Sequence, residues 1–173
     1  ASEYLEGHNK LKGLEFSAIE HIRQSSLFDF IVIEADGAAR RPLKACAAHE
    51  PVVPPFSDCV VAMAGLDAVA KPLAEEWVFR STIYSRITGL APLQAVTEAS
   101  IAAAIIHDVT SVSVTGQKVM KIVFLNKADN VKLIQTGERV ARFIKKNGRT
   151  LFHRIVIGEL KKDPLIHRCV AVQ

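Results

Sequence analysis

Apolar, β-branched runs at 28–33, 59–64, 121–125 and 151–157 punctuate the chain. The first and third stop abruptly at polar residues. Short runs with little alternation suit strands buried on both faces of a parallel sheet. Between them the period lengthens. Ser17 with Glu20 matches the S-x-x-E capping box ahead of a helix through Ile19 and Ile22. A second helix is predicted over 77–88, with Gly89 as its stop. A third starts at Pro92 and runs to about Ile106. A fourth follows Asp129, with Leu133, Val140, Phe143 and Ile144 on one face and Gly148 ending it. Pro164 opens a short terminal helix. The segment 1–13 is polar and reads as a loop, and 110–117 as a hairpin arm or loop. Pro42, Pro51, Pro54 and Pro55 forbid a long helix over 38–57, which reads as an ordered, functional loop. Strands alternating with helices, with polar motifs at strand ends, predict an α/β protein with a doubly wound, mostly parallel sheet. In such sheets a ligand sits outside the carboxyl ends of the strands.

Composition narrows the partners. At 173 residues and 49% hydrophobic content, the chain can bury one core and is short for two domains. A net charge of +4 is mild and its basic pairs are dispersed, so an anionic small ligand fits better than a nucleic acid. Cys46, Cys59 and Cys169 form no CxxC pair. That argues against a disulfide framework or a zinc knuckle and for a reducing, cytoplasmic setting. No apolar run is long enough to span a bilayer. His49-Glu50 and His107-Asp108 lack the spacing of metal ligands.

Two strand-end motifs carry the candidate chemistry. Asn126-Lys127-Ala128-Asp129 follows the third run and has the NKxD form of a guanine reader. The Asn amide can donate to the guanine carbonyl. The Lys stem can lie along the base while its ammonium stays hydrated. The Asp carboxylate can accept from the two N–H groups on guanine's pairing edge. Adenine would leave that carboxylate unpaired, which is costly in a closed site. The competing reading is an ordinary strand-to-helix turn in which Asp129 caps the helix. The other motif is Glu34-Ala35-Asp36-Gly37 after the first run. Glu34 can hold Mg²⁺ through water, Asp36 can reach the same ion or an attacking water, and Gly37 lets a backbone N–H approach a terminal phosphate. Its competitor is an acidic strand end with a glycine turn. Arg40, Arg41 and Lys44 follow closely, as cations that could neutralise phosphate or face solvent. The phosphate-loop pattern G-x-x-x-x-G-K-[ST] does not occur.

The string from Ile33 through Ala45, with His49-Glu50-Pro51, resembles the selenium-dependent hydroxylase accessory proteins of the YqeC type. So do Lys10-Leu11-Lys12-Gly13, Gly65-Leu66-Asp67-Ala68 with Lys71-Pro72-Leu73, and Leu125 through Asp129, in the same order. The resemblance implies a P-loop NTPase fold of the SIMIBI-like kind, here a single incomplete domain over 1–173 without its first strand, loop and helix. It implies GTP and Mg²⁺ as ligands, with Glu34 and Gly37 on the magnesium and γ-phosphate side and Asn126, Lys127 and Asp129 on the base. Arg41, Lys44, His49 and Glu50 are shared without an assigned role. The implied function is GTP-dependent maturation of a selenium-dependent molybdenum hydroxylase. The implied partners are that enzyme or its cofactor-maturation proteins, with a homodimer as a further expectation. The alternative is a non-hydrolysing module that docks a partner enzyme or a molybdopterin-type cofactor through 38–57.

Overall fold

The computed structural model describes residues 3–5, 10–114 and 119–172. It divides into two compact units, Ala1–Glu34 and Ala35–Gln173.

In the first unit β1 (Glu3–Leu5) and β2 (Lys10–Lys12) form an antiparallel pair where a loop was expected. Helix α1 (Phe16–Gln24) buries Ile19. The expected capping box is not made. The helix begins at Phe16 with Glu15 as an uncapped N-terminal residue, so Ser17 already lies inside the first turn. The predicted strand over 28–33 is also absent. These residues are irregular and largely exposed, Phe30 at 88% and Val32 at 95%. A strand needs a neighbour to take its backbone N–H and C=O groups, and among the described residues none pairs with this one.

The second unit is built on a four-stranded sheet in the order β4 (Cys59–Gly65), β6 (Met120–Asn126), β7 (Arg154–Gly158), β8 (Ile166–Ala171). The first three are parallel and β8 is antiparallel to β7. The unit is thus α/β with a mostly parallel sheet. The register places Gly65 beside Asn126, so the second and third apolar runs end side by side. A two-stranded parallel pair, β3 (Leu43–Lys44) with β5 (Val78–Phe79), lies against β4.

Helix α3 (Glu98–Thr110) and helix α4 (Val131–Asn147) pack on each other, and against β4 and β7 respectively. Ala62, Ala64, Val123, Leu125, Ile155 and Ile157 point to that side and join the core. The alternate positions Val61 and Met63 are exposed on the opposite face. The described helices α3 and α4 therefore cover one face, and the double winding expected from the pattern is not seen. Helix α2 (Ser81–Thr88) packs on α3, where Tyr84 and Ser100 share a buried hydroxyl–hydroxyl hydrogen bond of 2.9 Å.

Several boundaries move for local reasons. Helix α2 starts at Ser81 and not at 77, because the Glu75 carboxylate accepts from the Ser81 N–H (2.6 Å), the Arg80 N–H (3.1 Å) and the Ser81 hydroxyl (3.0 Å). Gly89 ends it in the left-handed region at φ 75°, as expected. Helix α3 starts at Glu98 and not at Pro92. Thr97 and Ser100 form a reciprocal capping box there, and upstream an antiparallel bridge between Pro72 and Ala95 ties the chain down, with the Leu73 N–H on the Gln94 carbonyl and the Val96 N–H on the Lys71 carbonyl. In α4 Val140 and Ile144 are buried, whereas Phe143 is 39% exposed and lies at the margin of the predicted face. Pro164 opens no helix. The chain after it becomes β8, because β7 offers an edge whose backbone groups need partners. Of the 110–117 segment, Thr110 ends α3, 111–114 is loop and 115–117 lies outside the described residues.

Candidate functional site at the strand ends

The carboxyl ends of β4, β6 and β7 carry a small set of polar groups. Asn126 is the last residue of β6. Its Oδ1 accepts from the Lys127 N–H at 2.8 Å and from the Leu160 N–H at 3.3 Å, tying the loop after β7 to the β6 end. The Ala128 N–H donates to the Gly158 carbonyl at 3.1 Å and strengthens the same junction. Lys127 adopts φ 63°. A non-glycine residue in the left-handed region costs roughly 1 kcal/mol, so its surroundings must hold it. Its ammonium pairs with Asp67 Oδ2 at 2.7 Å.

Asp67 lies in the single helical turn Leu66–Ala68 that follows β4. The sequence marked it only as part of a shared motif. The signal that could have found it is a lone carboxylate three residues past the apolar run 59–64. Gly65, at the end of β4, is required there by crowding. A Cβ would stand 2.7 Å from Asp67 Oδ1 and 2.9 Å from the Pro42 Cβ. The Gly65 N–H donates to the Pro42 carbonyl at 2.8 Å, which lays the Arg41-Pro42-Leu43 stretch across the end of β4.

Asp129 does not cap the helix. Asn130 is the N-cap of α4, its Oδ1 accepting from the Leu133 N–H at 3.0 Å. Asp129 is exposed and takes no part in that cap.

The other predicted residues form a second, different cluster. Lys44 is 9% exposed. It pairs with Asp36 and with Glu50 (3.1 Å) and donates to the Gly37 carbonyl at 3.2 Å. An ammonium has three donors, and these partners take them all. Arg80 forks onto both oxygens of Glu50, and the Ala47 N–H adds a bond of 3.1 Å. The Arg80 guanidinium, ahead of the opposing effect of burial, holds the Glu50 carboxyl down to about 2. The Cys46 thiol donates to Asp36 at 3.2 Å. Burial, with the Asp108 carboxylate beside it, pushes that thiol up to about 12, so at neutral pH it stays protonated. Arg41 donates to the Glu75 and Ala39 carbonyls at 2.8 and 2.9 Å. Arg41, Lys44 and Arg80 also gather around the Phe79 ring.

Arg40 is exposed at φ 63°, and the His49 ring is exposed with its Nε2 3.9 Å from Glu50. Glu34 is exposed at the end of the first unit. Donor atoms of Asp36, Cys46 and Glu50 approach within 4.8 Å of one another, but the cation between the two carboxylates is the Lys44 ammonium. Among the described residues no helix is long and apolar enough to cross a membrane.

Comparison with known proteins gives two findings. Residues 1–82 match the family model for the YqeC protein. A protein of Escherichia coli (strain K12), described as "Uncharacterized protein YqeC", is 27% identical over 159 residues. That alignment covers 92% of this chain and 61% of the relative, so the chain spans about three-fifths of the relative's length. No solved structure matches the chain. Both matches support the YqeC resemblance that the motifs carry.

Proposed function

We propose that this chain is the base-reading part of a YqeC-type nucleotide-binding protein, with guanine nucleotides as its ligands. The observation that carries the reading is the division of labour at the start of α4. Asn130 performs the cap, which leaves the Asp129 carboxylate exposed beside Asn126 and Lys127. In this role Asp129 accepts from N1–H and the exocyclic amine of guanine. Asn126 has its Oδ1 committed to two backbone N–H groups, so its amide N–H₂ is the part turned to the purine.

Mg²⁺ belongs to the same reading through Glu34 alone. That carboxylate is exposed, and a magnesium ion that keeps its waters needs few protein ligands. Asp36 fits the ion less well, because Lys44 already neutralises it. Glu34 would orient the water shell of such an ion. The role of such a protein is GTP-dependent help in maturing a selenium-dependent molybdenum hydroxylase.

The test is nucleotide choice in the full-length protein that contains this chain. Wild type is expected to bind GTP in preference to ATP. Asp129→Asn is expected to move the preference to xanthosine triphosphate, because the amide accepts from N1–H and donates to the C2 carbonyl. Equal affinity for GTP and ATP would refute the base assignment.

One observation favours the second reading for the 38–57 loop. Its Lys44 and Arg41 are bonded within the protein, and Arg80 is spent on Glu50. The loop then serves as a rigid docking surface for a partner enzyme or a pterin cofactor, with Arg40 and His49 among its exposed residues. Partner binding that survives while phosphate release is absent would select this reading for the loop.

A further inference from the structure

We propose that Asp67 is a positioning residue of the base site, acting through Lys127 to set that side chain for guanine. The proposal rests on the guanine-reading assignment above.

The geometry has three parts. Gly65 and Asn126 are register partners on neighbouring parallel strands, so the turn carrying Asp67 and the loop carrying Lys127 leave the sheet side by side. The 2.7 Å ion pair then stretches the Lys127 stem from the end of β6 to the end of β4, across the spacing between adjacent strands. On the other flank Leu160 is held to Asn126. The methylene stem thus forms one wall of the strand-end site and the loop after β7 the other. An anchored stem presents a fixed apolar surface to a base, whereas a free lysine would first have to be ordered.

Stability does not account for the pair. The two side chains are 41% and 32% exposed. Ion pairs of that exposure contribute little to folding. Lys127 also sits in an unfavourable backbone region, and Asp67 Oδ1 is buried with no hydrogen-bond partner among the described residues. Both features oppose folding. Close packing holds the Asp67 carboxylate, since Gly65 has no room for a Cβ against Asp67 and Pro42, and the bond from the Lys127 N–H to Asn126 Oδ1 holds the Lys127 backbone. Unfavourable backbone and an unsatisfied carboxylate oxygen at one strand end are typical of a site prepared for a ligand.

The experiment is GTP and ATP titration, with Mg²⁺, of the full-length protein and its Asp67→Asn, Asp67→Ala and Asp67→Glu variants, each also made in a Lys127→Ala background. Asp67→Asn keeps the shape of the turn and removes the charge, so it reports even if the alanine variant folds poorly. The expected result is a loss of GTP affinity of about tenfold, with the urea midpoint unchanged. Asp67→Glu should restore part of that loss. In the Lys127→Ala background the Asp67 change should cost nothing further, because there is no ammonium left to hold. An Asp67→Asn protein that binds GTP as wild type does, or that loses the same factor in both backgrounds, overturns the proposal. Failure of the parent reading looks different. A wild type without preference for GTP, insensitive to Asp129→Ala, removes the base site and this proposal with it. A wild type that prefers GTP and is ruined by Asp129→Ala, yet is indifferent at Asp67, removes only the role of Asp67.

Discussion

The two polar clusters differ in how completely they satisfy themselves. Around Lys44 every cation has an internal partner: Asp36, Glu50 and Gly37 for the ammonium, Glu50 for Arg80, two carbonyls for Arg41. At the strand ends the accounts stay open. Asp129 is exposed, Asp67 has a buried oxygen without a partner among the described residues, and Lys127 holds an unfavourable backbone angle. Similar residue types thus play opposite parts. A closed cluster fixes a loop, and in the proposed function the open one receives donors from a ligand. Charge-assisted bonds in a largely buried cluster are strong when complete and costly when broken.

The largest effect that would break the contrast is at Glu50. Glu50→Ala leaves Lys44 and Arg80 without their shared carboxylate and is expected to cost about 3 kcal/mol in urea unfolding. An unchanged midpoint would mean that the cluster is not structural. Asp129→Ala should do the reverse, leaving the urea midpoint unchanged while the full-length protein loses about a hundredfold in preference for GTP over ATP. A fall in stability without a change in base choice would return Asp129 to a structural role.

Acid sharpens the same comparison by a smaller amount. Glu50 is held at about 2, chiefly by the hydrogen bond from Arg80, against an ordinary value of 4.5. The folded protein therefore binds fewer protons than the unfolded chain between those two values. The contribution is fully present above about 4.5 and is lost as pH falls towards 2. Urea midpoints of wild type should drop across that window, and those of Glu50→Gln should drop less; parallel curves would place the acid sensitivity elsewhere. The smallest expected change is Asn130→Ala, which removes the cap of α4 and should cost about 1 kcal/mol with nucleotide choice intact. Loss of GTP preference in that variant would show that the helix start, and not the Asp129 carboxylate, governs the base site.

Much of the second unit was legible in the sequence. The runs 59–64 and 121–125 became β4 and β6 nearly residue for residue, and Gly89 and Gly148 ended α2 and α4. Such features depend on local rules: apolar continuity for a covered strand, and a residue without Cβ where a helix stops. Run 28–33 is as apolar and β-branched as a buried strand, apart from Asp29, and forms none, because strand formation is completed by a neighbour and not by propensity. Pro164 misled for a similar reason. It suits the first turn of a helix, but the open edge of β7 drew the following residues into β8.

By itself the sequence marked the candidate residues: Asn126, Lys127 and Asp129 after one strand, and the acidic, basic and His49-Glu50 positions of the loop. Only the tertiary structure decided which of them remain available. It seated Lys44 between Asp36 and Glu50, brought Arg80 to Glu50 from 30 positions away, gave the helix cap to Asn130, and brought Asp67 to Lys127 across 60 positions. A charge's identity is written locally, but its partner is set by which strand ends and turns the fold places side by side, and that partner determines whether the charge stabilises the fold or awaits a ligand.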